Sequence, residues 1–132
     1  MVRRSVSYVG ILRNHSIFGE MPGRMIERLA SYVRTQTVQS GTTIFAKGDV
    51  GAALMGVLSG TVKISVPAAN GRERVLNIIH EGEIFGETAF LDGGSRTADA
   101  VAMSVCELLI IERRDFIPFV HEHPNSYVPG ST

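Results

Sequence analysis

Two residues of opposite charge, Glu87 and Arg96, lie nine positions apart on either side of a glycine-rich stretch. Gly86 precedes the glutamate, and a glycine there can open one helical turn whose unpaired N–H groups attract an anion. Arginine suits a phosphate because its guanidinium can donate to two oxygens at once. A carboxylate that faced a phosphate would repel it, so we expect Glu87 to accept a hydrogen bond from a sugar hydroxyl. Together these residues indicate a ligand with a singly charged phosphate and a free ribose hydroxyl.

The same two residues admit a second interpretation, a Glu87–Arg96 ion pair on the surface without a ligand. Such an exposed pair contributes about 0–1 kcal/mol to stability. Catalysis is not indicated, because the sequence shows no Ser, His and Asp arrangement and no paired-carboxylate motif. We therefore predict that the protein is not an enzyme. The pair His121-x-His123 lacks a third ligand nearby and is more typical of a helix end than of a metal site.

Composition limits the class of protein. The 132 residues fit one domain, and a hydrophobic fraction of 44% allows a buried core. The formal net charge is zero, which argues against unaided binding of nucleic acid. The lone cysteine, Cys106, lies in an apolar run and is predicted to be a small buried hydrophobe. One cysteine can form neither an intramolecular disulfide nor an iron–sulfur cluster site. The single cysteine predicts a reducing, cytoplasmic compartment. No apolar stretch approaches the roughly 20 residues that a membrane span needs.

The elements that must position Glu87 and Arg96 follow from apolar periodicity. A short helix is expected near residues 6–14, and a second over Pro22–Arg34, where apolar residues recur at helical spacing. After Ser40 the pattern becomes one of short strands separated by glycine-bearing turns, typical of an all-β sandwich or barrel. The predicted strands cover residues 42–46, 53–58, 61–66, 74–79, 98–105 and 107–111.

Two local features are predicted within these strands. Val62, Ile64 and Val66 alternate with polar residues and should share one buried face. Asn70-Gly71 should form a type I′ hairpin turn, because this dipeptide supplies the positive φ that the turn requires.

Residues 85–96 interrupt the strand pattern. They are expected to form one helical turn and a flexible loop between two strands, an insertion that often carries function. A closing helix is predicted over Arg113–Glu122, with Pro118 acceptable only near its first turn. Residues 124–132 are expected to be a frayed tail.

The stretch Phe85-Gly86-Glu87-x-Ala89-Phe90-Leu91, followed by Arg96-Thr97-Ala98, resembles the phosphate-binding cassette of the cyclic-nucleotide-binding domains. These domains occur in CRP/FNR-type bacterial transcription regulators, in regulatory subunits of cyclic-nucleotide-dependent kinases and in gated channels. The stretches 41–49 and 58–64 also match the family, and the resemblance covers about residues 10–123. The run 96–102 is most similar to the bacterial regulators.

The resemblance implies a mainly β fold, a double-stranded β-helix (jelly-roll-like) barrel with flanking short α-helices. Its parts would be N-terminal helices at about 6–34, a barrel at about 36–111 and the closing helix at about 113–122. The implied ligand is cAMP or cGMP, with no cofactor and no metal. The ligand-binding residues would be Phe85, Gly86, Glu87, Thr88, Ala89, Arg96, Thr97 and Ala98.

Roles within this set are also implied by the resemblance. Glu87 would bind the ribose 2′-hydroxyl and Arg96 the cyclic phosphate, helped by the backbone amides of Gly86 and Ala98. Thr97 would reach the phosphate or, in some members, the 2-amino group of guanine. Thr88 departs from the aliphatic residue that usually follows the glutamate.

The family's mode of signalling is movement of the flanking helices when ligand binds. In its CRP/FNR members the output is DNA binding through a helix-turn-helix module, which is absent from this sequence, so we expect either a fragment of a longer regulator or a stand-alone sensor. The sequence leaves open whether the chain forms a homodimer. The alternatives are a ligand-free dimerisation or scaffold barrel, and a sensor of another effector such as haem through His15, His80 or His121.

Overall fold

The computed structural model describes residues 7–15 and 18–122, and within these ranges short helices flank a region of eight strands. In chain order the elements are α1 (Ser7–Asn14), α2 (Gly23–Ala30), β1 (Arg34–Val38), β2 (Thr43–Phe45), β3 (Ala53–Ser59), β4 (Val62–Pro67), β5 (Glu73–Ile79), β6 (Ile84–Phe85), α3 (Glu87–Asp92), β7 (Asp99–Ala102), β8 (Cys106–Glu112) and α4 (Arg113–Glu122).

The strands form two antiparallel sheets of four strands each. Their orders are β1-β8-β3-β6 and β2-β7-β4-β5. This arrangement of eight strands in two facing sheets is the jelly roll, as predicted. The two sheets pack face to face and are not hydrogen-bonded into one closed barrel within the described ranges, so the barrel is better described as a two-sheet sandwich.

Strand β8 lies at the centre of the molecule and is buried on both faces. Cys106, Leu108 and Ile110 pack between the two sheets, whereas Ile111 points to the helices. Because successive side chains of a strand point to opposite faces, burial of both faces produces an unbroken apolar run. Cys106 is fully buried in the inter-sheet core, which confirms its prediction as a small hydrophobe.

All four helices pack on the outer face of the sheet that contains β3 and β8. Their shared core joins Leu54 of β3 and Ile111 of β8 to one apolar side chain or more from each helix. The fully or nearly fully buried members from the helices are Leu12, Ile26, Leu29, Phe90, Phe116 and Phe119. This second core therefore connects α3, which follows the glycine of the predicted site, to the closing helix α4.

Several elements differ from the sequence prediction. The strand predicted over residues 98–105 is shorter, since β7 ends at Ala102 and residues 103–105 bend the chain toward β8. The helix expected to reach Arg34 ends at Ala30, because residues 34–38 pair with β8 in register from Arg34–Ile110 to Val38–Cys106. The two-residue strand β6 was not predicted. It pairs with Met55 and Gly56 of β3 and is too short to show periodicity.

The turn at Asn70-Gly71 joins β4 and β5 as predicted, but its type is different. Only Gly71 has a positive φ (83°), whereas a type I′ turn requires one at Asn70 as well. The amide of Gly71 donates to the carbonyl of Ala68 at 3.0 Å, and that of Ala68 donates to Arg72 at 2.5 Å. This is the three-residue loop in which a type I turn is followed by a glycine bulge.

A bulge in β4 changes the predicted face of that strand. Val62 and Ile64 contact the inter-sheet core as predicted. The register with β5 shifts between Ile64 and Ser65, and Ser65 is buried while Val66 is only partly buried. The prediction that Val66 shares the buried face is therefore wrong, because a bulge adds a residue that strict alternation does not count.

The closing helix has the predicted bounds, Arg113–Glu122. Pro118 is its sixth residue and lies in the interior, so the prediction that it is tolerated only in the first turn is wrong. Proline has no N–H to donate to Arg114, but both residues lie on the exposed side of the helix, where water can bond the freed carbonyl. The predicted tail at 124–132 lies outside the described residues. None of the described helices has the length and apolar character needed to cross a membrane.

Candidate functional site

A cavity of about 360 Å³ opens beside β6 and α3. Its volume lies within the usual range for small-molecule sites. All eight residues predicted from the sequence line it, so the fold brings the whole predicted set together. The sequence prediction missed a further set of lining residues, namely Phe45, Ile64, Asn77, Ile79, Ile84, Asp92, Gly94 and Ser95.

Gly86 sets the direction of the chain between β6 and α3. Its φ of 82° is left-handed, and the helical turn predicted from the sequence begins at the next residue, Glu87. A Cβ atom at this position would lie 2.8 Å from Nη1 of Arg96. The site therefore requires glycine for two reasons, the backbone conformation and the close approach of the guanidinium.

Arg96 is positioned by backbone pairing between two loops. Its amide donates to the carbonyl of Asp49 at 2.7 Å, and its carbonyl accepts from the amide of Gly48 at 2.8 Å. The amide of Gly51 donates to the carbonyl of Gly94 at 2.9 Å, which extends the pairing. The loop after α3 is thus attached to the loop between β2 and β3.

The side chain of Arg96 is 5% exposed although it carries a charge. Nη1 donates to the carbonyl of Gly86 at 2.7 Å and Nη2 to that of Ala53 at 2.5 Å. The guanidinium carbon lies 4.1 Å from the centre of the Phe45 ring. Burial lowers the pKa of Arg96, and the charge of Asp49 opposes this change. An arginine remains protonated in proteins even when it is buried, so the cavity wall carries a positive charge.

The groups that accept hydrogen bonds from this charge are neutral carbonyls, and its hydrogen bonding is incomplete. Nε of Arg96 is buried and has no hydrogen-bond partner in the part of the chain that the structure describes. A buried donor without an acceptor costs about 1–3 kcal/mol. Two carbonyl dipoles and a ring face compensate the charge less well than an anion does. The arrangement can therefore accept an anionic group from a ligand.

Glu87 is the acidic counterpart in the cavity wall and is about one-third exposed. Its Oε2 lies 3.6 Å from Nε2 of His15, with side-chain exposures of 34% and 15%. Arg96 instead bonds the two carbonyls. The alternative of a Glu87–Arg96 ion pair is therefore wrong.

The other predicted residues shape the cavity. Phe85, Ala89 and Ala98 are buried and supply apolar wall, whereas Thr88 and Thr97 are exposed at its mouth. The sequence prediction placed Phe45 in a strand and did not include it among the ligand-binding residues. Its contact with Arg96 joins β2 to the loop after α3, and no local signal indicates such a contact.

The histidines considered as metal or haem ligands lie apart from one another. His80 contacts Glu83 on an exposed turn, His121 is exposed on α4, and His123 lies outside the described residues. Within residues 7–15 and 18–122, no three His, Cys, Asp or Glu side chains are close enough to hold a metal ion.

Comparison with known proteins shows the family of this chain. The sequence model described as the cyclic nucleotide-binding domain matches residues 35–123. The chain is 34% identical over 113 residues to the "Cyclic AMP receptor protein" of Thermus thermophilus, a match that covers 86% of this chain and 52% of that protein. The chain thus spans about half the length of this curated relative.

Solved structures show the same relationship. The N-terminal domain of a transcriptional regulator from Streptomyces coelicolor A3(2) is 30% identical with a TM-score of 0.80, covering 86% of this chain and 81% of that one. The regulatory domain of Toxoplasma gondii PKA, crystallised with cAMP, is 26% identical with a TM-score of 0.82, covering 90% and 45%. Because the family match includes both sheets and the stretch from Phe85 to Ala98, the chain belongs to the family of cyclic nucleotide-binding domains.

Proposed function

We propose that this domain binds cAMP or cGMP in the 360 Å³ cavity and is the sensor domain of a CRP/FNR-type transcription regulator. The cyclic phosphate would bind Arg96, and the ribose 2′-hydroxyl would donate to Glu87. The observation that carries this proposal is the buried Arg96 guanidinium, whose recorded bonds go to two neutral carbonyls and whose Nε has no partner among the described residues.

The charges of the cavity favour a cyclic phosphate over a linear one. A cyclic phosphodiester carries one negative charge, which one guanidinium neutralises through two hydrogen bonds. A linear monophosphate carries a second charge near neutral pH, and Glu87 and Asp92 both line the cavity. Two carboxylates would repel that extra charge. We therefore expect 5′-AMP to bind at least about tenfold more weakly than the cyclic nucleotide, a difference of about 1.4 kcal/mol.

A route for signalling runs from α3 to α4. The ring of Phe90 in α3 lies 4.8 Å from the ring of Phe116 in α4. Nε of Arg113, the first residue of α4, donates to the carbonyl of Phe90 at 2.7 Å. Because these contacts join the two helices directly, a shift of α3 on phosphate binding would be passed to α4. In a regulator of this type, DNA binding by a separate module would be the output.

Base selectivity is proposed to involve Thr97, which lies exposed at the mouth of the cavity. Its hydroxyl could accept a hydrogen bond from the 2-amino group of guanine or donate one to the phosphate. Thr97→Ala distinguishes these roles. Loss of affinity for cGMP alone indicates contact with the base, and equal loss for both nucleotides indicates contact with the phosphate.

The deciding experiment is a calorimetric titration of the full chain with cAMP, cGMP and 5′-AMP. We expect one cyclic nucleotide or both to bind at one site per chain. At a hundred times its dissociation constant, the bound nucleotide should stabilise the fold by about 2.7 kcal/mol in thermal denaturation. If millimolar cAMP and cGMP give neither heat nor a thermal shift, the proposal is wrong and the scaffold alternative is favoured.

A further inference from the structure

One charged contact of the site involves a residue outside the strands, directly after the end of α1. His15 follows the last residue of α1, and its ring packs against Phe18 with 5.6 Å between the centroids. Its Nε2 lies 3.6 Å from Oε2 of Glu87. The imidazole is 15% exposed, so this contact is partly shielded from solvent. A residue far away in the chain therefore touches the carboxylate that we assign to the ribose.

The two side chains line different cavities. Glu87 lines the 360 Å³ nucleotide cavity, whereas His15 lines an adjoining cavity of about 370 Å³ that shares Asn77, Ile79 and Ile84 with the first. His15 thus approaches the carboxylate from outside the proposed nucleotide site. Because His15 is not among the residues that line the nucleotide cavity, the imidazole and a ribose hydroxyl can use different lone pairs of the same carboxylate.

We propose that His15 is a positioning residue that, when protonated, holds the Glu87 carboxylate in place for the ribose hydroxyl and so makes nucleotide affinity depend on pH. This inference rests on the proposed function and names a regulation of the same site. A glutamate side chain loses considerable rotamer freedom when it is fixed. Because protonated His15 fixes it beforehand, less of that entropy is lost when the nucleotide binds.

The sign of the pH effect follows from the charge of His15. The charged imidazole attracts Glu87, and the neutral one does not, so we expect tighter binding at low pH than at high pH. Among the described residues, the other charged groups that line the two cavities are Arg96 and Asp92 in the nucleotide cavity and Glu83 in the adjoining one.

Arg13, the preceding charged residue of α1, has its guanidinium next to Gly23. His80 contacts Glu83 at 3.6 Å on an exposed turn, and it is the matched control for a histidine effect that does not pass through Glu87.

The test measures the affinity of the full chain for cAMP, and separately for cGMP, at about pH 5.5 and about pH 8 in the wild type, His15→Gln, His15→Lys and His80→Gln. We expect the wild type to bind about two- to fivefold more tightly at the lower pH, the range that a partly exposed ion pair supports. His15→Gln should bind weakly at both pH values. His15→Lys should bind tightly at both, because its charge is permanent. His80→Gln should keep the wild-type profile.

Several results would overturn the inference. If His15→Lys binds as weakly as His15→Gln, His15 acts only as a structural residue. If wild-type affinity does not change with pH, or rises toward high pH because His15 competes with the ribose, the positioning role is wrong. Thermal denaturation of each variant shows whether it is folded. If wild type binds neither nucleotide at any pH, the proposed function itself fails, which is a different result from binding without a pH effect.

Discussion

The guanidinium of Arg96 lies over the ring of Phe45, 4.1 Å from its centre. Its terminal nitrogens donate to the carbonyls of Gly86 and Ala53, so the charge is held between a ring face and two carbonyl dipoles. A buried cation whose hydrogen-bond acceptors are all neutral is incompletely compensated. An anion bound at the cavity wall would therefore complete the compensation of this charge.

Removal of the Arg96 charge should abolish most nucleotide affinity. For Arg96→Ala we expect a loss of about 2–5 kcal/mol in binding free energy, because a phosphate in the cavity loses its charged partner. Calorimetry with the preferred cyclic nucleotide measures this loss. Arg72→Ala, an exposed arginine in the β4–β5 turn, is the control and should bind as the wild type does. Equal affinity of Arg96→Ala and wild type would refute the assignment.

The role of Glu87 can be isolated with a ligand that lacks the ribose hydroxyl. We expect 2′-deoxy cyclic nucleotide to bind the wild type about 1.5–3 kcal/mol more weakly, the value of a hydrogen bond to a charged group. In Glu87→Gln the same ligand change should cost much less, since the carboxylate is gone. A double-mutant cycle from calorimetric affinities gives the coupling energy. Glu81→Gln, on an exposed turn, is the control, and a coupling energy of zero at Glu87 would contradict the prediction.

The close approach of Gly86 to Arg96 can be separated from backbone strain. Gly86 and Gly71 have nearly the same φ, 82° and 83°, but a Cβ at Gly71 meets no atom within 4 Å. Each alanine variant should lose about 1–2 kcal/mol of unfolding free energy from the left-handed backbone. Gly86→Ala should lose more in urea denaturation and should also bind nucleotide at least about tenfold more weakly, or about 1.4 kcal/mol. Similar affinity in both variants would show that the contact with Arg96 is unimportant.

The link between α3 and α4 should depend on Arg113. In the wild type we expect bound nucleotide to slow amide exchange in α4, because α4 packs on Phe90 and bonds its carbonyl. Arg113→Ala removes that bond and should reduce the nucleotide-dependent protection in α4. Its effect on stability should be about 1–3 kcal/mol, from the partly buried carbonyl left without a donor.

The neighbouring arginine supplies the control for this measurement. Arg114 is exposed on α4, and Arg114→Ala should keep the wild-type protection. If both arginine variants keep it, the signal reaches α4 through the packing of the phenylalanine rings alone.

Much of the fold was predictable because the relevant signals are local. The alternation of β4, the apolar run of β8 and the helical stretch at Arg113–Glu122 each depend on the spacing of neighbouring residues. The insertion at residues 85–96 was visible as an interruption of the strand pattern, and α3 lies within it. Strand β1 was not predicted, because residues 34–38 are a strand only through their pairing with β8. The bulge at Ser65 and the turn type at Asn70 were missed for a similar reason, since strand pairing determines both.

The sequence by itself determined the chemistry of the site. Glu87, Arg96 and the glycine before the helical turn are residue types that suit a sugar hydroxyl and a phosphate, and their spacing is local. Only the tertiary structure decided what surrounds these groups. It places Phe45 and the carbonyl of Ala53 on Arg96, and it brings His15 of the N-terminal region to Glu87. The physical reason is that these partners come from other strands and helices, and their distances depend on how the two sheets and the helices pack.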